Sequence, residues 1–75
     1  MKSIQNFTAI IEKEDDMYVA LCPELDIASQ GDSIEEAKKN LQEAIELFFE
    51  HASEEEIACT LKNDFFITNM QIAIG

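Results

Sequence analysis

Carboxylates are the only abundant reactive groups in this chain: 16 of its 75 residues are Asp or Glu. Carboxylates converging from different elements can hold two divalent metal ions for phosphodiester hydrolysis. Their distribution here argues against that chemistry. The stretch Ile4–Ile11, the first candidate strand, contributes none. The acids gather at Glu14-Asp15-Asp16, along one side of a helix and at Glu54-Glu55-Glu56, where charge normally stays solvated. A carboxylate-dependent nuclease is therefore only the remote alternative. His51 is the single histidine, so a two-histidine metal site is excluded. It falls near a helix C-terminus, where an imidazolium is stabilised by the helix dipole. Cys22 and Cys59 lack metal-ligand spacing and read as free thiols of a reducing compartment rather than a disulfide. No Gly-rich phosphate loop, CxxC pair or G-x-S-x-G occurs. The expectation is no catalytic residue, no metal ligand, no cofactor and no enzyme.

Charge narrows the choice of partner. The five basic residues are all lysine, and the net charge is −11. Phosphate contacts rest on Lys and Arg, so direct binding to nucleic acid or to an anionic membrane is not expected. The acidity serves either as a solvated surface or as an attractor for a basic protein partner. The opening MKSIQNFTAII has no signal-peptide core, and no segment approaches membrane-spanning length. A cytoplasmic protein is expected.

The elements that must position these groups read clearly from hydrophobic period. Ile4–Lys13 predicts a strand, with Phe7, Ala9 and Ile11 on one face and Thr8 and Ile10 on the other. Lys13–Asp16 predicts a hairpin built on a type I turn, since no glycine is present for a primed one. Met17–Cys22 is a second strand, apolar on both faces, and Pro23 should end its pairing. A third strand over 27–30 closes the meander, and Gly31-Asp32 turns the chain into a helix. Ser33 and Glu36 have capping-box spacing. Ile34, Ala37, Leu41, Ala44, Ile45, Phe48, Phe49 and Ala52 form one apolar sector of that helix. Ser53 breaks the pattern and could cap a short second helix through Leu61. Phe65–Ile74 predicts a final strand, with Phe66, Met70, Ile72 and Ile74 on its better apolar face.

The whole of 1–75 is expected to form a single α+β domain: an antiparallel sheet in β-β-β-α-β order with one long helix packed on one face. A chain this short buries only about 60–65% of its unfolded surface, so association often supplies the rest. One helix covers one face of a sheet, yet the second strand is apolar on both. Antiparallel sheets with a solvated face normally carry polar residues there. A homo-oligomer, dimer or tetramer, is therefore expected, with Val19, Leu21 and the off-sector Leu47 at the contact. Tyr18, Glu24, Asp26 and Gln30, polar groups near strand ends, are the candidate partner-binding residues, with edge solvation and turn formation as the competing role.

A family resemblance runs along the same residues. Tyr18-Val19-Ala20, Cys22-Pro23-Glu24-Leu25, Ser29-Gln30-Gly31-Asp32, Glu35-Glu36-Ala37 and Leu41–Glu46 resemble the HicB-type antitoxin domain. Phe66–Ile72 resembles the strand that closes that family's sheet. The resemblance implies a partial RNase H-like fold, homo-oligomerisation and neutralisation of a small HicA-type mRNA interferase. That toxin has a double-stranded-RNA-binding-domain-like fold and a catalytic histidine, blocked when the antitoxin binds. A basic RNA-cutting partner suits a chain at −11. Longer family members continue into a DNA-binding helix-turn-helix or ribbon-helix-helix segment. With the sequence closing at Gly75, the resemblance implies a short form without direct operator binding. The other reading is a stand-alone oligomeric module with a different protein or small-ligand partner.

Overall fold

Strand β1 (Ile10–Glu14) turns into β2 (Met17–Cys22) through two residues, because Glu14 pairs with Met17 and only Asp15 and Asp16 lie between. A computed structural model describes residues 4–61 and 66–75 of the chain. Asp15 adopts φ 54, a left-handed conformation that Asp tolerates better than most side chains. The loop is thus not the expected type I turn. A positive φ at its first position matches the twist of the two strands, as primed hairpin turns do.

β1 is also shorter than the sequence predicts. Residues 4–9 carry no strand, and pairing starts at Ile10 opposite Leu21. Continuing the ladder would bring Thr8 opposite Pro23, which has no N–H to donate and already belongs to the next turn. In that turn the Leu25 N–H donates to the Cys22 carbonyl at 3.3 Å, and Asp26 takes φ 54. Pro23 occupies the first central position, where its fixed φ is already suited to the turn. β3 (Ile27–Gly31) then pairs antiparallel with β2, giving the sheet order β1-β2-β3.

Helix α1 (Ile34–His51) begins on the expected cap. The Glu36 N–H donates to Ser33 Oγ at 3.0 Å. The Glu36 carboxylate accepts in return from the Asp32 N–H at 3.3 Å, one residue before the cap. α1 ends where the Ala52 N–H donates to the Phe48 carbonyl. α2 (Glu54–Leu61) starts at once, with Ser53 Oγ accepting from the Glu56 N–H at 3.1 Å. The short second helix is therefore real.

The core lies between α1 and one face of the sheet. Ala20, Cys22 and Ala37 are fully buried and Leu41 is 2% exposed. Phe7, Ile11, Tyr18, Leu25, Ile27 and Ile45 pack around them. Small side chains let the helix come close, and Gly31 shows how close. A Cβ there would sit 2.6 Å from the Ala37 backbone nitrogen and 2.8 Å from the Glu36 carbonyl carbon. α1 lies mainly over β3, less over β2, and only grazes β1. Ile34, assigned to the apolar sector, is 49% exposed.

The expected final strand does not form within the described chain. Phe65 lies outside the described residues. Residues 66–75 carry no strand and are exposed throughout, Phe66 at 90% and Ile74 at 94%. Alternation marks the two faces of a strand but supplies no partner, and no pairing to β1 or β3 is made. The observed order is β-β-β-α-α, an α+β fold with the long helix on one face of a three-stranded antiparallel sheet.

Candidate functional site

Strand alternation divides the sheet's residues between two faces. Ala20 and Cys22 lie under α1, so Tyr18 shares their face, and Tyr18 does pack against the core. Val19 and Leu21 occupy the opposite face. Directly paired residues lie on the same side, which adds Ile10 and Glu12 from β1 and Ala28 and Gln30 from β3. No described element covers this face. Its centre is Ile10, Val19, Leu21 and Ala28, and Glu12 and Gln30 flank that centre. Val19 and Leu21 are only partly buried.

Of the predicted partner-binding residues, Gln30 alone lies within this face. Its carbonyl accepts from Asn40 Nδ2 at 2.8 Å, which ties α1 to β3 and leaves the Gln30 side chain exposed. Tyr18 is turned into the core side. Asp26 is exposed in the turn beyond β2, where its left-handed backbone gives it a conformational duty. Leu47 is 56% exposed on α1, across the sheet from Val19 and Leu21, so the three do not form one surface.

Glu24 is already engaged. Its Oε2 accepts from the Thr8 backbone N–H at 2.9 Å and from Thr8 Oγ1 at 2.7 Å. Cys22 Sγ donates to its Oε1 at 3.6 Å. Partial burial pushes the Glu24 pKa up, but the Thr8 hydrogen bonds outweigh it and hold the carboxyl below its ordinary value. The same contact works against a reactive thiol. Burial raises the Cys22 pKa, and the Glu24 charge adds to the effect, so Cys22 stays protonated and inert. This cluster is a latch between the segment before β1 and the β2–β3 turn. Thr8, 16 residues from Glu24, is the partner sequence reading missed, since no local pattern links the two.

Beside the segment that precedes β1, the flank of α1 overhangs an open groove of about 900 Å³. Phe7, Leu41, Ile45, Phe49 and Ile57 supply its apolar lining, while Lys38 and Glu46 are exposed at its rim. Phe7 and Phe49 stack with centroids 5.6 Å apart, and Phe48 meets Phe49 edge-on at 5.1 Å. Among the described residues, no group of three or more His, Cys, Asp or Glu side chains is placed to hold a metal ion. No described helix is long and apolar enough to cross a membrane.

The chain matches no protein-family model, and no solved structure matches it significantly. Curated relatives do. Over 68 residues it is 41% identical to a UPF0150 protein of Helicobacter pylori (strain J99), covering 89% of this chain and 94% of that protein. A UPF0150 protein of Thermotoga maritima is 41% identical over 59 residues, covering 73% of this chain and 79% of the relative. A UPF0150 protein of Synechocystis is 53% identical over 51 residues, a match that spans 65% of each chain.

Proposed function

The chain belongs to the UPF0150 family, and on that premise we propose a non-catalytic, cytoplasmic protein-binding module of the HicB-like, partial RNase H-like type. It acts as an oligomer and neutralises a small basic HicA-type mRNA interferase. One observation carries the reading: none of the described residues covers the sheet face whose apolar centre is Val19 and Leu21. Such a face is the expected form of a docking surface. Glu12 within it, and Glu14 and Asp26 at the ends of the strands, supply negative charge beside the apolar centre. A basic protein is drawn by that charge and held by the burial of Val19 and Leu21. Blocking the toxin's RNA-binding surface needs no reaction, and the placement of Cys22 and Glu24 in a structural latch fits that economy.

Co-expression with the product of an adjacent short basic reading frame tests the proposal. A co-purifying complex and rescue of growth are expected, with both lost in a Leu21→Lys variant that still folds. Absence of a complex together with no rescue would sink the antitoxin reading. The same surface would then serve a stand-alone module with a different partner, and the neighbouring frames would encode no short basic protein with a central histidine.

A further inference from the structure

We infer that the uncovered face of the sheet receives an amphipathic helix of a different, basic protein. The helix sets its apolar stripe along β2 and two cations, one turn apart, over β1. The inference rests on the reading of this face as a docking surface and adds what the docked element must look like.

Register and alternation sort the face into rows. Ile10, Leu21 and Ala28 form the first, Glu12, Val19 and Gln30 the second, and Glu14 and Met17 the third. Met17, Val19 and Leu21 therefore make an apolar line along the middle strand. Charge is confined to one side of that line. Glu12 and Glu14 are exposed on β1, whereas Lys13 between them belongs to the opposite face. On β3 the face offers Ala28 and Gln30, both exposed and both uncharged. A docked element thus meets an apolar middle, an acidic flank and a neutral flank.

Dimensions and backbone chemistry select a helix. Three strands about 4.8 Å apart give a face about 10 Å across, close to the width of one helix. A single strand laid on that face would leave its own N–H and C=O groups unpaired against apolar side chains. A helix satisfies its backbone internally and presents apolar anchors at i, i+4 and i+7. Glu12 and Glu14, two residues apart on a strand, are separated by about 7 Å, and one turn of helix rises about 5.4 Å. Lys or Arg side chains at i and i+4 on one flank can therefore reach both carboxylates.

The described helices of a second copy do not meet this demand. The apolar sector of α1 is engaged in its own core. Its two lysines, Lys38 and Lys39, are neighbours in sequence rather than one turn apart. α2 opens on Glu54-Glu55-Glu56 and contains no basic residue. At a net charge of −11, two copies also repel each other, whereas a basic helix is attracted.

Synthetic helical peptides of about 14 residues, titrated into the intact protein and followed by NMR, test the inference. Each carries a leucine stripe, with lysine, glutamine or glutamate at i and i+4 on one flank. Affinity should fall in the order lysine, glutamine, glutamate, with about fivefold between the first two at low salt. Amides of β1 and β2 should shift on binding. Glu12→Lys combined with Glu14→Lys should reverse the order. Glu35→Lys combined with Glu43→Lys, an equal change in net charge on the outer side of α1, should preserve it. A central proline in the lysine peptide should abolish binding. The inference is overturned by an order that the β1 reversal leaves unchanged, by shifts confined to α1 and α2, or by full binding of the proline peptide. It is equally overturned if the lysine peptide does not bind at about 1 mM, or if a second copy proves to occupy the face. Peptide binding as described, without any toxin complex, would uphold this inference while the antitoxin reading fails. A toxin complex indifferent to the β1 reversal would do the opposite.

Discussion

The two faces of the sheet use apolar side chains in opposite ways. Under α1 the strands present Ala20, Cys22, Ser29 and Gly31, and the helix answers with Ala37 and Leu41. On the other side they present Ile10, Val19 and Leu21. The side chains at the centre of the covered face are thus small, with Ile11, Tyr18 and Ile27 packed around them, while none of the described residues covers Ile10, Val19 and Leu21. Close approach of a helix requires small residues, because the backbone itself becomes part of the contact. A solvated face would require polar ones. The uncovered face satisfies neither demand, which is the physical ground for reading it as a surface completed by another molecule.

Substitutions on the covered face should show the largest effects on the isolated fold. Leu41→Ala removes the one large side chain that is almost wholly buried among the described residues, at a cost of about 2–5 kcal/mol. A domain this small has little more than that in reserve, so loss of a cooperative melting transition is expected. Wild-type melting would mean that α1 does not seat on this face. Gly31→Ala comes next, at about 1–3 kcal/mol, since the added methyl meets backbone atoms that cannot swing aside. A denaturant midpoint lowered with an unchanged slope would show that the helix moves without the fold changing.

Glu24→Gln should cost about 1 kcal/mol by weakening the charged acceptor of the Thr8 latch. The sign of its pH dependence follows from the lowered pKa. The carboxylate's contribution is full above its unfolded value and is lost as pH falls through the folded one. Melting curves of wild type and variant should therefore differ at neutral pH and converge in acid. The smallest change in stability belongs to the uncovered face. Val19→Thr keeps the branched shape and should alter melting by less than about 0.5 kcal/mol, while weakening capture of the basic partner. A large loss of stability would show that this face is already packed within one chain.

What could be read from the sequence followed the range of the interactions involved. The helix start was legible because Ser33 and Glu36 satisfy each other's neighbourhood within one turn. Pro23 announced the end of β2 by chemistry of its own. The start of β1 was not legible, since it depends on what lies opposite Thr8, and that is Pro23 of the β2–β3 turn. Glu24 looked like a free acid near a strand end, yet its partner is 16 residues away. Strand alternation puts Val19 and Leu21 on one face, whereas Leu47 is exposed on α1, on the other side of the sheet. Helical spacing shows which residues leave the core without showing which side of the sheet they reach. The strand expected over 65–74 failed for a related reason, because alternation carries no information about who supplies the edge.

The two thiols of this chain differ in one further way. Cys59 is open to solvent, whereas Cys22 is fully buried beside Leu41 and Ala37. A thiol reagent in excess would modify the first at once and the second only when the helix lifts from the sheet. The lag between the two modifications is a clock already built into the molecule, and it times the opening of the covered face without any engineered probe.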